Sequence, residues 1–118
     1  MTELIACLST GKGTWMPVIK LIDEQEWDQI FLIATDFARQ KFNPKKQVEF
    51  IIIDQRRPAR QLVEDIKSQL EKKVKGPEVA LNLSSGTGNE HMAILSALLK
   101  LGLGIRLVSI TEQGFDEI

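Results

Sequence analysis

At 118 residues, with 43% apolar and 26% charged residues, the chain has the size and composition of one globular domain. A formal net charge of -1 argues against wholesale electrostatic binding to duplex nucleic acid, and the single cysteine, Cys7, excludes a disulfide within the chain and points to a reducing, cytoplasmic setting. Met1 to Ile5 carry no basic leader, so no signal peptide is expected, and no run approaches the ~20 apolar residues of a membrane helix.

Leu4 to Leu8 is continuously apolar, the pattern of a strand buried on both faces of a parallel sheet. Ser9-Thr10-Gly11-Lys12-Gly13-Thr14 follows as a loop. Thr14 is the expected N-cap of a first helix, with Pro17 tolerated in its first turn and Val18, Ile19 and Ile22 on its apolar face. Ile30 to Ala34 reads as a second strand, Phe37 to Phe42 as a short helix, and Val48 to Ile53 as a third, β-branched strand that ends at Asp54, with Arg56 and Arg57 just beyond. Pro58 to Lys75 is the clearest helix: Leu62, Ile66 and Leu70 recur at four-residue spacing, and Gly76 and Pro77 stop it. Its lysines Lys72, Lys73 and Lys75 suit the negative end of the helix dipole. Val79 to Leu83 is a fourth strand, the next helix runs to about Leu101, and Ile105 to Ile110 is a fifth strand followed by an acidic tail, Thr111 to Ile118.

Strands that alternate with helices, each strand nearly unbroken in apolar residues, predict a single α/β domain over 1–118. The expected fold is a Rossmann-like three-layer sandwich: a mainly parallel sheet of five or six strands in the order 3-2-1-4-5, with helices on both faces. In that order the first and fourth strands are neighbours where the winding reverses, and ligands bind at the carboxyl edge of such a point. The loops richest in Gly, Ser and Thr follow those two strands.

The second of these loops, Asn82-Leu83-Ser84-Ser85-Gly86-Thr87-Gly88-Asn89, leads into a helix that begins near His91-Met92. Small residues and a helix N-terminus gather backbone N–H groups around an anion; the alternative is a tight connection that needs glycine for its angles. The expected ligand-binding set is Ser9, Thr10, Gly11, Lys12, Gly13, Thr14 and Trp15 from the first loop. From the second it is Asn82, Ser84, Ser85, Gly86, Thr87, Gly88, Asn89 and His91. Trp15 is either a surface on which a base stacks or core; His91 is either a ligand contact or a surface helix residue. Phosphates and ribose hydroxyls are the natural ligands. No cofactor and no metal is expected, since His91 is the only histidine and no cysteine or carboxylate cluster accompanies it. If a phosphodiester were cleaved here, Ser9, Thr10 or Ser84 would orient a ribose hydroxyl and Lys12 would stabilise charge on phosphate. No general base is evident, so binding without turnover leads.

At Asn82-Leu83-Ser84-Ser85-Gly86-Thr87 followed by Met92-Ala93, the chain resembles the CARF family, the CRISPR-associated Rossmann-fold sensor domains. Ser9 to Thr14 is similar to the family's other ligand loop, and Gly88 stands where the family frequently has lysine. The resemblance implies a homodimer around a shared pocket for a cyclic oligoadenylate, most often the four-membered ring. It also implies an effector, fused or separate, for a CRISPR type III antiviral signal. Sensor, metal-independent ring nuclease, and sensor domain of a longer protein are the three forms it allows; the chain stops soon after the fifth strand, which leaves no room for an effector. Met92 to Leu101 is apolar almost all round, as a dimer helix would be. The alternatives are a flavodoxin-like flavin carrier, since Ser85 to Glu90 resembles a flavodoxin phosphate loop, and an interaction module without a ligand.

Overall fold

A computed structural model describes residues 2–118, with the side chain of Lys12 outside the described set. Its strands are β1 (Glu3–Leu8), β2 (Ile30–Ala34), β3 (Glu49–Ile52), β4 (Glu78–Asn82), β5 (Gly104–Thr111) and β6 (Gly114–Glu117). The α-helices are α1 (Trp15–Glu24), α2 (Asp36–Lys41), α3 (Ala59–Leu70) and α4 (Gly88–Lys100), and a 3-10 turn over Lys12–Thr14 precedes α1. The sheet order is β3-β2-β1-β4-β5-β6, with β1 to β5 parallel and β6 antiparallel to β5. This is the Rossmann-like sandwich expected, with a hairpin added. The acidic tail supplies the sixth strand, because the Thr111–Gly114 turn reverses the chain and pairs Ile110 with Phe115.

Alternate residues of each strand serve opposite layers. Ile5, Phe31, Ile33, Val79 and Leu81 pack with Leu62, Ile66 and Leu70 of α3 and Ile94 and Leu98 of α4. Leu4, Ala6, Leu32 and Ala80 pack with Val18, Leu21 and Ile22 of α1 and Ala38 of α2. Both faces are therefore dry, which is why the strand sequences show no polar alternation. Right-handed crossovers put α1 and α2 on one face and α3 and α4 on the other, so the winding reverses between β1 and β4.

Two helix boundaries differ from the sequence expectation: α4 begins at Gly88 rather than near His91, and α3 stops short. The third helix ends at Leu70, not Lys75, although helical bonds continue briefly through Val74 N to Leu70 O at 3.0 Å. Its continuation is drawn instead to Glu3, a buried carboxylate at the start of β1. Glu3 Oε1 accepts from the amides of Gly76 at 2.7 Å and Lys75 at 3.0 Å, and Oε2 accepts from Gln29 Nε2 at 2.7 Å. This clamp holds the α3–β4 connection at the amino edge of the sheet. Glu3→Ala leaves those donors without their acceptor and is expected to cost about 2–3 kcal/mol in urea unfolding. Because the clamp lies opposite the carboxyl edge, ligand binding by the folded variant should be unchanged.

Candidate functional site

The two glycine loops meet at the carboxyl ends of β1 and β4. Ser85, fully buried, accepts a hydrogen bond from the Ser9 amide at 2.8 Å, and its hydroxyl lies 2.6 Å from Thr14 Oγ1. Thr14 therefore does not cap α1 with its side chain as expected; its hydroxyl crosses to the other loop. The direction of the hydroxyl chain follows from counting hydrogens. Ser9 donates to the Gly11 carbonyl at 2.8 Å, so Thr14 must donate to Ser9 Oγ, 3.1 Å away. Ser85 must then donate to Thr14. None of these hydroxyls keeps a hydrogen for a ligand. The hydroxyls of Thr10 and Ser84 do, and the first-turn amides of Gly88 and Asn89 have no partner within the described protein.

Several other expected contacts are structural pillars of the loops. Trp15 is 7% exposed, its ring edge-on to Phe42 at 5.5 Å between centroids and its Nε1 donating to Ser9 O at 2.8 Å. Of the two roles open to it, the ring takes that of core and leaves no open face for stacking. Asn82 is buried, donating from Nδ2 to Val108 O at 2.9 Å and to Ser84 Oγ at 3.1 Å while Oδ1 accepts from Ser84 N at 3.2 Å. It pins the end of β4 to β5. His91, half-buried, donates from Nε2 to Ser85 O at 2.8 Å, the carbonyl being able only to accept, and so fastens the loop from the helix side. Lys12 lies in the turn before α1, but its side chain falls outside the described residues.

The glycines divide into two kinds. Gly86 has φ +109°, and a β-carbon there would stand 2.5 Å from Cys7 Sγ, 3.1 Å from His91 Nε2 and 3.2 Å from Glu90 Oε1. Gly13 and Gly88 face open space, and Gly11 meets only Ser9 Oγ at 3.8 Å. Thus Gly86 is required by its loop, while Gly13 and Gly88 leave the surfaces of their two loops bare.

Sequence reasoning passed over Glu90. Its carboxylate is buried, accepting from Thr87 N at 2.8 Å while Thr87 Oγ1 accepts from Glu90 N at 3.2 Å. The spacing Thr87-x-x-Glu90 is the signature of this reciprocal cap. Cys7, His91 and Glu90 converge around Gly86, yet they are no nucleophilic triad: burial first, and then the Glu90 charge, push the Cys7 thiol up. A thiol reagent at pH 8 should leave Cys7 unmodified in the native protein and modify it fully once unfolded; rapid native labelling would contradict the packing. Because the folded-state value is raised, the contribution of this thiol to stability is present below its ordinary value of 9.0 and declines as pH rises beyond it.

Beside the loops, and sharing Thr10 with them, a cavity of about 680 Å³ opens at the carboxyl ends of β2 and β3. Thr35, Phe37, Ile52, Asp54, Arg57 and Gln69 are among its lining residues. Arg56 binds Asp54 through Nε to Oδ1 at 3.0 Å and holds that carboxyl below its usual range. Nothing in the sequence marks this cavity, because its lining comes from connections far apart in the chain and carries no motif. Among the described residues no cluster of His, Cys, Asp and Glu could hold a metal ion, and no helix is long and apolar enough to cross a membrane. Compared with family models, curated proteins and solved structures, the chain matches none.

Proposed function

We propose that the protein binds a cyclic oligoadenylate, the four-membered ring first, as a CARF-type sensor in CRISPR type III signalling, with the pocket shared across a homodimer. The observation that carries the reading is the direct bond between the loops, Ser9 N to Ser85 Oγ at 2.8 Å. It fuses the two motifs that resemble the family's ligand loops into one surface at the switch point of the sheet. On that surface the Gly88 and Asn89 amides at the head of α4 receive a phosphate, and Thr10 and Ser84 serve ribose or phosphate oxygens. Lys12 is the cation for this site, since Gly88 carries none.

Binding without turnover is favoured over ring cleavage. Ser9, Thr14 and Ser85 commit their hydrogens to one another and to Gly11, and His91 is fastened to Ser85 O, so among the described residues of the loops no general base stands ready to activate a ribose hydroxyl. The flavin-carrier reading lacks its stacking ring, Trp15 being buried.

Dimerisation is supported by the outer side of α4. Met92 and Leu99 are 62% and 67% exposed one above the other, with half-buried Leu95 between them. Leu107, 41% exposed, lies on the same face of the sheet as α4, because it pairs with Leu81. A second copy of the chain covering this surface brings two α4 N-termini, and so two loop sites, towards one axis.

Calorimetric titration with cyclic tetra-adenylate, alongside light scattering, tests the reading. The expected result is saturable heat, a raised melting temperature and a dimer mass at micromolar concentration. A monomer with neither heat nor thermal shift at ligand excess overturns it.

A further inference from the structure

The cavity beside the loops has a chemistry of its own, and we infer that it is a recognition pocket for an amino-bearing nucleobase, with Gln69 reading the exocyclic amine. The inference rests on the proposed function only for the ligand to which the base is attached. Its size, about 680 Å³, falls within the range of small-molecule pockets. The floor is apolar, from Ile52 and the buried Ile53, and the Phe37 ring stands at its wall 47% exposed, a large apolar surface kept in water on a helix of otherwise polar exposure. Such a ring offers a face on which a base stacks.

The ligand is neutral where it enters. Both guanidiniums of the lining already face carboxylates: Arg56 Nε meets Asp54 Oδ1 at 3.0 Å and Arg57 Nη1 meets Asp65 Oδ2 at 2.9 Å. The lining carries the carboxylates of Asp36, Asp54 and Asp65 against the two guanidiniums, so it offers an anion no net attraction, whereas a neutral heterocycle meets no such penalty. The ligand also carries a donor. Gln69 uses its amide nitrogen on the carbonyls of Ile52 at 3.0 Å and Asp65 at 3.2 Å, which fixes the amide and leaves Oε1 as its uncommitted atom. A fixed acceptor selects an N–H group and disfavours a carbonyl oxygen in the same place. Thr10 joins the cavity to the loop whose neighbouring Ser9 touches Ser85. A base in the cavity and its phosphate on the glycine loops are thus the two ends of one nucleotide.

Adenosine and inosine, which differ at position 6 by an amine against an oxo group, test this by NMR on the full chain. Adenosine at millimolar concentration should shift the Gln69 side-chain amide and the Phe37 resonances saturably, and inosine should bind at least about tenfold more weakly. Gln69→Met should remove that preference; Phe37→Ala, at an exposed position that the fold tolerates, should weaken adenosine severalfold. Equal shifts from both nucleosides, or no shift in the cavity, overturn the inference. Cyclic tetra-adenylate binding with shifts confined to residues 9–14 and 84–91 overturns the cavity and leaves the proposed function standing. Adenosine seated in the cavity of a protein that does not bind the ring supports the cavity and overturns the function.

Discussion

Gly86→Ala is expected to be the most damaging single substitution in the glycine loops, lowering stability by about 2–4 kcal/mol. Two independent causes add. The backbone there has φ +109°, a region that an L side chain rarely adopts, and the new methyl would lie 2.5 Å from Cys7 Sγ in a fully buried strand. On a domain of this size the melting temperature should fall by about 10 °C. The causes separate in a double-mutant cycle with Cys7→Ala. Removing the sulfur relieves the contact but not the backbone strain, so the double variant should be more stable than the sum of the single effects predicts, yet still below Cys7→Ala alone. Strict additivity would contradict the contact, and full recovery would contradict the strain. Gly88→Ala, facing open space, should by comparison change stability by less than ~1 kcal/mol.

Ser85→Ala is expected to part the two loops. It removes the acceptor of the Ser9 amide and the donor to Thr14 from a fully buried position, at a cost of about 1–3 kcal/mol. Ring affinity should also fall by roughly tenfold, which is about 1.4 kcal/mol, since the loops no longer share a fixed geometry. Ser84→Ala is the control. Its hydroxyl is exposed and accepts only from Asn82, which keeps its bond to Val108, so the loss in stability should stay within ~0.5 kcal/mol. Equal unfolding midpoints for the two variants would mean that the inter-loop bond does not hold the site together.

The architecture was legible because parallel strands buried on both faces write themselves as apolar runs, and because right-handed crossovers leave few orders for them. The meeting of the two loops followed from that order. Which atoms do the joining did not. Ser84 and Ser85 are adjacent and identical in kind, yet the bend after β4 turns one inward against Ser9 and Thr14 and leaves the other exposed. Gly86 and Gly88 likewise look equivalent, and only the packing against Cys7 separates the glycine that the backbone needs from the one a ligand would meet. Thr14 reads locally as a cap, but a partner 71 residues away takes its hydroxyl. Glu3 looks like a charged flank of β1, and its role depends on amides that arrive from the far end of α3. The Thr87-x-x-Glu90 cap was legible and overlooked; β6 was not, being four residues long and half acidic.

The central claim is that Ser9 to Thr14 and Asn82 to His91 form one site for a cyclic oligoadenylate. Incubation with labelled cyclic tetra-adenylate, followed by separation of bound, free and linear species, tests it most directly. The expected result is intact ring retained at one ring per two chains, with retention weakened by Ser85→Ala. Linear product would replace the sensor with a ring nuclease; a ring that is neither retained nor cut would contradict the account.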